Sequence, residues 1–438
     1  MRIIFNTYFR EKTGGGIGQV ACEISRVFAE DHQVLFIIPG DKTKVRKEGN
    51  LTFLEIKSVG NNQMVLPKLI PKSVKYIVNK LNKFHPDLIH VHDPGPMAFF
   101  LQNWAIKNNI PFLQTSHILP TKFIEFGSQN SNNKLNESIY KLITKKYLLP
   151  FYNNCSGVVA LNKNALRDIK KLGYRGKIFE IPNGRHLDDY NQLPLADISS
   201  PAKHLLFIGF FSSRKNQLFL LKAMDHLPKN FCLDLIGIPL QEKYGKNLSS
   251  FVKKNNLNVN FVGQIDHAQI PVFLQKAHFF VSASKMEVQS LVIMESMASG
   301  TPVIGLSNET TDQFVNNENG FCFPKKTSPY DFAAKIIELS NLSKNDYEKL
   351  CLNARKQMEP YDWEKIKIKT EKMYEDVIAD KKISERLQKK KKTNTVKNKD
   401  LYAFLLVIIT LIAAGYSFDT EIKKLLSKSN SFLGILNN

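Results

Sequence analysis

The chain has 438 residues, 43% of them hydrophobic, which is long for one core and suits two domains of about 150–200 residues. Lys and Arg number 61 against 40 Asp and Glu, a formal net charge of +21 that favours phosphorylated ligands or anionic lipid; no RNA- or DNA-reading motif accompanies it, so nucleic acid is not an expected partner. The five cysteines (Cys22, Cys155, Cys232, Cys322 and Cys351) stand singly, in the spacing of neither a zinc site nor a disulfide framework, as in a reducing compartment.

Met1–Phe5 reads as a first strand rather than an export signal. The run Thr13-Gly14-Gly15-Gly16-Ile17-Gly18 then opens a helical pattern through Val20, Ile24, Val27 and Phe28. Strand, glycine loop and helix together let the amides of Gly15 and Gly16 approach a phosphate, although a plain tight turn gives the same pattern. No Gly-Lys-Ser/Thr follows, so this is not a Walker loop. Gln33–Ile38 is a second strand, and residues 42–84 are Lys-rich with interleaved apolar positions. From Ser73 to Phe84 the apolar face of Val74, Ile77, Val78 and Leu81 predicts a helix, either an ordinary surface element or a patch for anionic lipid. His85–Asp93 contains a buried parallel-type strand, and strand ends are where open α/β sheets keep their sites. His90 and His92 alternate with apolar residues, as a hydrogen-bonded core histidine would, and neither is assigned to chemistry. Ile110–Ser116 is the next strand, with His117 directly after it, where a neutral imidazole can donate to a hydroxyl. Residues 118–150 mix aromatic, aliphatic and Lys positions, and Gly157–Asn162 and Ile178–Asn183 are further strands.

The polar stretch 191–203 marks a domain boundary. His204–Gly209 is a strand leading into Phe210-Phe211-Ser212-Ser213-Arg214-Lys215-Asn216, and Leu233–Gly237 and Val259–Gly263 are two more. Phe279–Ser282 and the run from Thr301 flank the helix Leu291–Ala298, so Glu287 falls in the loop after a strand and Glu295 within the helix. Amides of Gln289, Ser290 and Leu291 at that helix start are expected to be unpaired and suited to a phosphate or polyhydroxy ligand. Tyr330–Leu339 is helical, and a last helix starts at Tyr361-Asp362-Trp363 and runs through Ile366, Met373 and Tyr374. Strands and helices alternating in two halves predict two α/β units. No Asp-x-Asp pair occurs, so a metal-gripping single-domain transferase is disfavoured.

The strand at 279–282, its Ser-rich exit, Glu287-x7-Glu295, Met297-Ala298-x-Gly300 and Thr301-Pro302-Val303-Ile304 resemble the donor-sugar signature of retaining glycosyltransferase family 4. Ile181-Pro182-Asn183-Gly184 is similar to the family's interdomain link, and the resemblance covers about residues 1–380. It implies an α/β GT-B fold, two Rossmann-like domains facing a cleft: 1–190 on the acceptor side, 200–360 binding the nucleotide sugar, and 361–380 as a closing helix. It further implies that Glu287 holds donor-sugar hydroxyls, Glu295 the ribose, and Lys215 the diphosphate. His117 would reach the donor sugar near the reacting centre, and the glycine loop would face the diphosphate. Two departures stand out: Phe210 occupies the place of an Arg, which leaves Arg214 to reach in, and Val288-Gln289-Ser290 replaces the usual Gly-Phe-Gly. A Glu-x-Gln-Gly variant occurs in the family's glycolipid-making members. The implied activity is metal-independent transfer of a hexose from a nucleotide-diphosphate sugar, with no cofactor, to a lipid or lipid-linked glycan. The alternatives are a nucleotide-sugar 2-epimerase of the same fold and a non-catalytic sugar-nucleotide sensor.

Beyond the resemblance, residues 381–400 read as a basic linker with Lys389-Lys390-Lys391-Lys392 at its centre. Leu401–Phe418 follows without a charge for 18 residues, just enough to span a bilayer, and 419–438 is a short tail. Lysines ahead of the span predict a single-pass membrane protein with its catalytic domains cytoplasmic and in contact with anionic headgroups.

Overall fold

The computed structural model describes residues 1–11, 15–60, 65–122 and 144–393. The expected membrane span 401–418, the tail 419–438, residues 394–400 and most of the stretch 118–150 (123–143) lie outside the described residues. No helix among the described residues is long and apolar enough to cross a membrane. The chain divides into two compact units, one of residues 1–183 with 366–438 and one of residues 184–365.

Among the described residues, the first unit is built on β1 (Arg2–Asn6), β2 (Gln33–Gly40), β3 (Lys44–Glu48), β4 (Leu51–Gly60), β5 (Val65–Pro67), β6 (Leu88–Val91), β7 (Phe112–Ser116), β8 (Gly157–Ala160) and β9 (Ile178–Glu180). They lie in the order β3-β4-β2-β1-β6-β7-β8-β9, with β5 on β4. Only β3 and β5 run antiparallel to β4. The central parallel strands β1, β2, β6 and β7 are short runs buried almost throughout, as helices on either side require. The order reverses between β1 and β6, the kind of switch point where loops at the carboxyl ends part and leave a crevice. There the Tyr8 amide, from the loop after β1, donates to Asp93 Oδ2, after β6, at 2.8 Å.

Three strands inside 42–84, β3, β4 and β5, escaped the periodicity. Lys44–Glu48 is almost wholly charged because it is an exposed edge strand, where charge discourages pairing with another chain. Arg46 lies over the Phe53 ring at 3.6 Å and pairs with Glu11 at 2.8 Å. The helix Trp363–Ala379 buries Ile366, Thr370, Met373, Tyr374 and Val377, and Tyr374 shares a 2.6 Å hydrogen bond with His90 within the first unit.

The second unit contains β10 (Lys203–Ile208), β11 (Phe231–Ile236), β12 (Val259–Gly263), β13 (Phe279–Ser282), β14 (Val303–Leu306) and β15 (Gly320–Phe323). All pair in parallel, in the order β12-β11-β10-β13-β14-β15, a Rossmann arrangement whose switch point falls between β10 and β13. The unit starts at Gly184, ahead of the polar stretch 191–203, because Arg185 exchanges backbone hydrogen bonds with Tyr361 and Trp363 at 2.9 and 3.1 Å. Gly237, which ends β11, has φ +135°, and a Cβ there would lie 2.1 Å from the Gly209 carbonyl oxygen. Only glycine lets these two strand exits approach so closely.

The first part of the expected basic linker is ordered. Lys381–Thr393 is a helix that buries Ile383 and Leu387, and Lys390 donates at 2.8 Å to both the Asn153 carbonyl and Asn154 Oδ1. Arg386 donates to the same Asn153 carbonyl. The lysine run masked an amphipathic stripe in which Ile383 and Leu387 stand one turn apart. Leu387→Ala is therefore expected to cost about 2–4 kcal/mol at this contact and to make trypsin cut first within 381–393; an unchanged digestion pattern and thermal midpoint would show that the helix is not docked.

Candidate active site

The switch point of the second sheet sets two loops face to face, and their charged residues meet. Lys215, from the loop after β10, places Nζ 2.6 Å from Glu287 Oε1, from the loop after β13. Arg214 Nη1 lies 3.4 Å from the same oxygen and donates to the Met286 carbonyl at 2.7 Å. Glu287 and Lys215 are largely buried, with side chains 9% and 13% exposed, whereas Arg214 keeps 34%. Burial pushes the Glu287 carboxyl up, but Lys215, Arg214 and a hydrogen bond with Ser284 outweigh it and hold the group below its ordinary value. Burial lowers the Lys215 ammonium against the pull of Glu287. Glu287 is thus an ionised carboxylate between two cations.

A third loop, after β14, braces this arrangement. Glu309 Oε2 accepts from the Glu287 amide at 3.1 Å, and Thr310 Oγ1 from the Ser290 amide at 3.0 Å. Asn308 Oδ1 accepts from the amides of Thr310 and Thr311, while its Nδ2 donates to the Ser284 carbonyl at 3.1 Å. The Ser290 amide, expected to be unpaired, is therefore occupied by a side chain of the same unit. Gln289 and Ser290 are buried beside it, and Leu291 opens the helix Leu291–Ala298.

Glu295 is fully buried on that helix. Its Oε1 lies 3.0 Å from His267 Nε2 and 3.6 Å from Arg185 Nε, and its Oε2 has no hydrogen-bond partner among the described residues. Arg185 is 2% exposed, unusual for a guanidinium, and His267 stays 45% exposed beside the buried carboxylate. Sequence reasoning missed both. Arg185 sits in a loop three residues after Pro182, and His267 precedes Glu295 by 28 positions, so no local spacing marks either.

In the first unit, the carboxyl ends of β6 and β7 gather three imidazoles. His92 Nδ1 and His117 Nε2 are 3.0 Å apart, and the rings of His90, His92 and His117 stack with centroids 5.0 and 5.3 Å apart. Burial pushes His90 and His117 down to about 3 and His92 well below its ordinary value, so all three are neutral near pH 7. Burial likewise raises Asp93 to about 7, against the hydrogen bonds from Tyr8, Thr7 and Gly95. Gly15 and Gly16 begin the helix Gly15–Ala29 of this unit, with Gly15 at φ +65°. Among the described residues, no three His, Cys, Asp or Glu side chains are grouped as metal ligands would be.

These features agree with the comparisons to known proteins. The family described as Glycosyltransferase Family 4 matches residues 14–189, and Glycosyl transferases group 1 matches residues 196–357, so the two cover more than three quarters of the chain. The chain belongs to the family 4 glycosyltransferases. It is similar to the alpha-monoglucosyldiacylglycerol synthase of Acholeplasma laidlawii, 24% identical over 344 residues covering 72% of this chain and 81% of that one. Its fold is that of sucrose-phosphate synthase from Thermosynechococcus elongatus, with a TM-score of 0.71, 21% identity and coverage of 86% and 99% of the two chains. Anabaena HepE, solved in complex with UDP-glucose, shares it at a TM-score of 0.68 and 19% identity over 85% and 99%. The protein is a GT-B glycosyltransferase related to glycolipid synthases.

The sign of the Glu287 shift carries a stability prediction. Because its folded pKa lies below the ordinary 4.5, the ionised form contributes its full stability above that value and loses it as pH falls through the folded pKa. Glu287→Gln is expected to cost about 3 kcal/mol at pH 7 by leaving Lys215 buried and unpaired. Denaturant midpoints measured from pH 7 down to 3 should show the gap to wild type closing below about 4.5; a gap that stays constant would mean Glu287 is not ionised in the folded protein.

Proposed function

We propose that the protein moves a hexose-type sugar from a nucleoside-diphosphate donor, with retention, to a membrane-associated lipid or lipid-linked glycan. The observation that carries this reading is the meeting of Lys215, Arg214 and Glu287 at the carboxyl edge of the second sheet in a family 4 chain. In the proposed reaction the bond from the sugar anomeric carbon to the diphosphate oxygen breaks, and a bond from that carbon to the acceptor oxygen forms on the same face. The acceptor hydroxyl proton passes to the departing phosphate oxygen, so no protein nucleophile is needed. Lys215 and the more exposed Arg214 turn from Glu287 to the diphosphate and stabilise its developing charge, in place of a metal ion. This gives Arg214 the part left open by Phe210. Glu287, released from its cations, accepts from sugar hydroxyls, while Glu295, with His267, receives the ribose. His117 acts at the sugar through a neutral hydrogen bond.

The UDP-glucose bound by Anabaena HepE supports a nucleoside-diphosphate donor. The synthase of Acholeplasma laidlawii supports a glycolipid acceptor, as does the uncharged run 401–418 with lysines ahead of it, read as a single membrane span with the catalytic units in the cytoplasm.

A screen of nucleoside-diphosphate hexoses, following release of the nucleotide with and without anionic lipid vesicles, tests the reading. Turnover should survive a chelator and rise with lipid acceptor; donor binding without turnover would mark a sugar-nucleotide-binding protein instead. Glu287→Ala is expected to lower kcat by about 100-fold, and Glu295→Ala to raise the donor KM by about tenfold with a smaller effect on kcat. Wild-type kinetics in both would remove the site assignment. Full-length protein should stay with membranes in carbonate, whereas a chain ending before residue 394 should be released by high salt.

A further inference from the structure

His92 is 2% exposed, and its two ring nitrogens have unequal surroundings. Nδ1 faces His117 Nε2 at 3.0 Å, while Nε2 is buried with no hydrogen-bond partner among the described residues. Both imidazoles are neutral, so exactly one proton lies between Nδ1 and Nε2 of the pair. If His117 donated that proton, His92 would carry its own on Nε2, an N–H stripped of water with nothing to accept it. If His92 donates, its Nε2 is left as a bare lone pair. A buried orphan donor is the rarer and costlier of the two, so the second arrangement wins. His90 does not upset the choice. Its Nε2 and Nδ1 meet the hydroxyls of Thr115 at 2.7 Å and Tyr374 at 2.6 Å, each able to donate or accept, so it suits either tautomer.

We infer that His92 is a positioning residue: its Nδ1–H donates to His117 Nε2 and thereby fixes the His117 proton on Nδ1. The catalytic consequence rests on the reading of His117 given above. A His117 so fixed meets the sugar as an N–H donor and not as a base, because its one lone pair is already engaged by His92. Free neutral histidine in water prefers the proton on Nε2, so His92 imposes the less common form.

The test uses full-length protein labelled with 15N at histidine, in which nitrogen shifts and long-range N–H couplings identify each tautomer, and His117→Gln assigns the signal. Wild type should show His117 protonated at Nδ1. His92→Phe keeps an aromatic ring between His90 and His117 but removes the donor; the His117 proton should move to Nε2 and kcat fall about tenfold with little change in KM. His92→Asn, whose amide nitrogen takes the place of Nδ1, should restore both. A wild-type His117 protonated at Nε2, or a tautomer unmoved in His92→Phe, overturns the inference. If the tautomers behave as stated and His117→Gln still transfers at the wild-type rate, the role given to His117 fails while the His92 assignment stands.

Discussion

A carboxylate out of water has to be answered by positive charge, and at Glu287 that requirement organises the carboxyl edge of the second sheet. Lys215 answers it at 2.6 Å, yet Lys215 is itself buried, and Glu287 opposes the burial that lowers its ammonium. Neither ion would be tolerated without the other, since a single unpaired charge at such depth costs several kcal/mol. The surrounding hydrogen bonds follow from the need to hold the pair still. Glu309 takes the Glu287 amide, Thr310 takes the Ser290 amide, and Asn308 joins its own loop to the Ser284 carbonyl. Three loops on three different strands are thus tied together through one ion pair, and the Gly209–Gly237 contact lets the first of them pass.

The first unit meets the same difficulty differently. Its polar groups at the ends of β6 and β7 are buried too, but burial keeps the three imidazoles neutral and raises the Asp93 carboxyl to about 7. Neutral groups can be packed against aromatic rings such as Phe5 without a counter-ion. The second unit therefore keeps paired ions at its strand ends, while the first keeps neutral imidazoles linked by directional hydrogen bonds.

Much of this was legible in the residues. Apolar runs bounded by glycine or serine marked β12, β13 and the helix Leu291–Ala298 at their observed ends; β13 is buried throughout and so reads as a continuous hydrophobic stretch, whereas β12 is an exposed edge strand marked by its Gly263 exit. Lys215 and Glu287 stood out because a known signature carries them. What stayed hidden has physical causes. The edge strand Lys44–Glu48 has no apolar face to display, and the helix Lys381–Thr393 looked like a loose tether because lysines outnumber its two buried residues. Arg185 and His267 join Glu295 only through folding, and the occupied Ser290 amide depends on Thr310, 20 residues away.

The docked helix at 381–393 also sets a leash. With Leu387 buried and Lys390 held by Asn153 and Asn154, the helix that ends at Thr393 is fixed to the first unit. Seven residues, 394–400, then separate it from the uncharged run that starts at Leu401. Even drawn out fully, seven residues reach about 25 Å. If that run lies in the bilayer, the end of the helix can never stand farther than this from the lipid surface. The first unit would then be held within that height of the lipid while travelling with its anchor in the plane of the membrane.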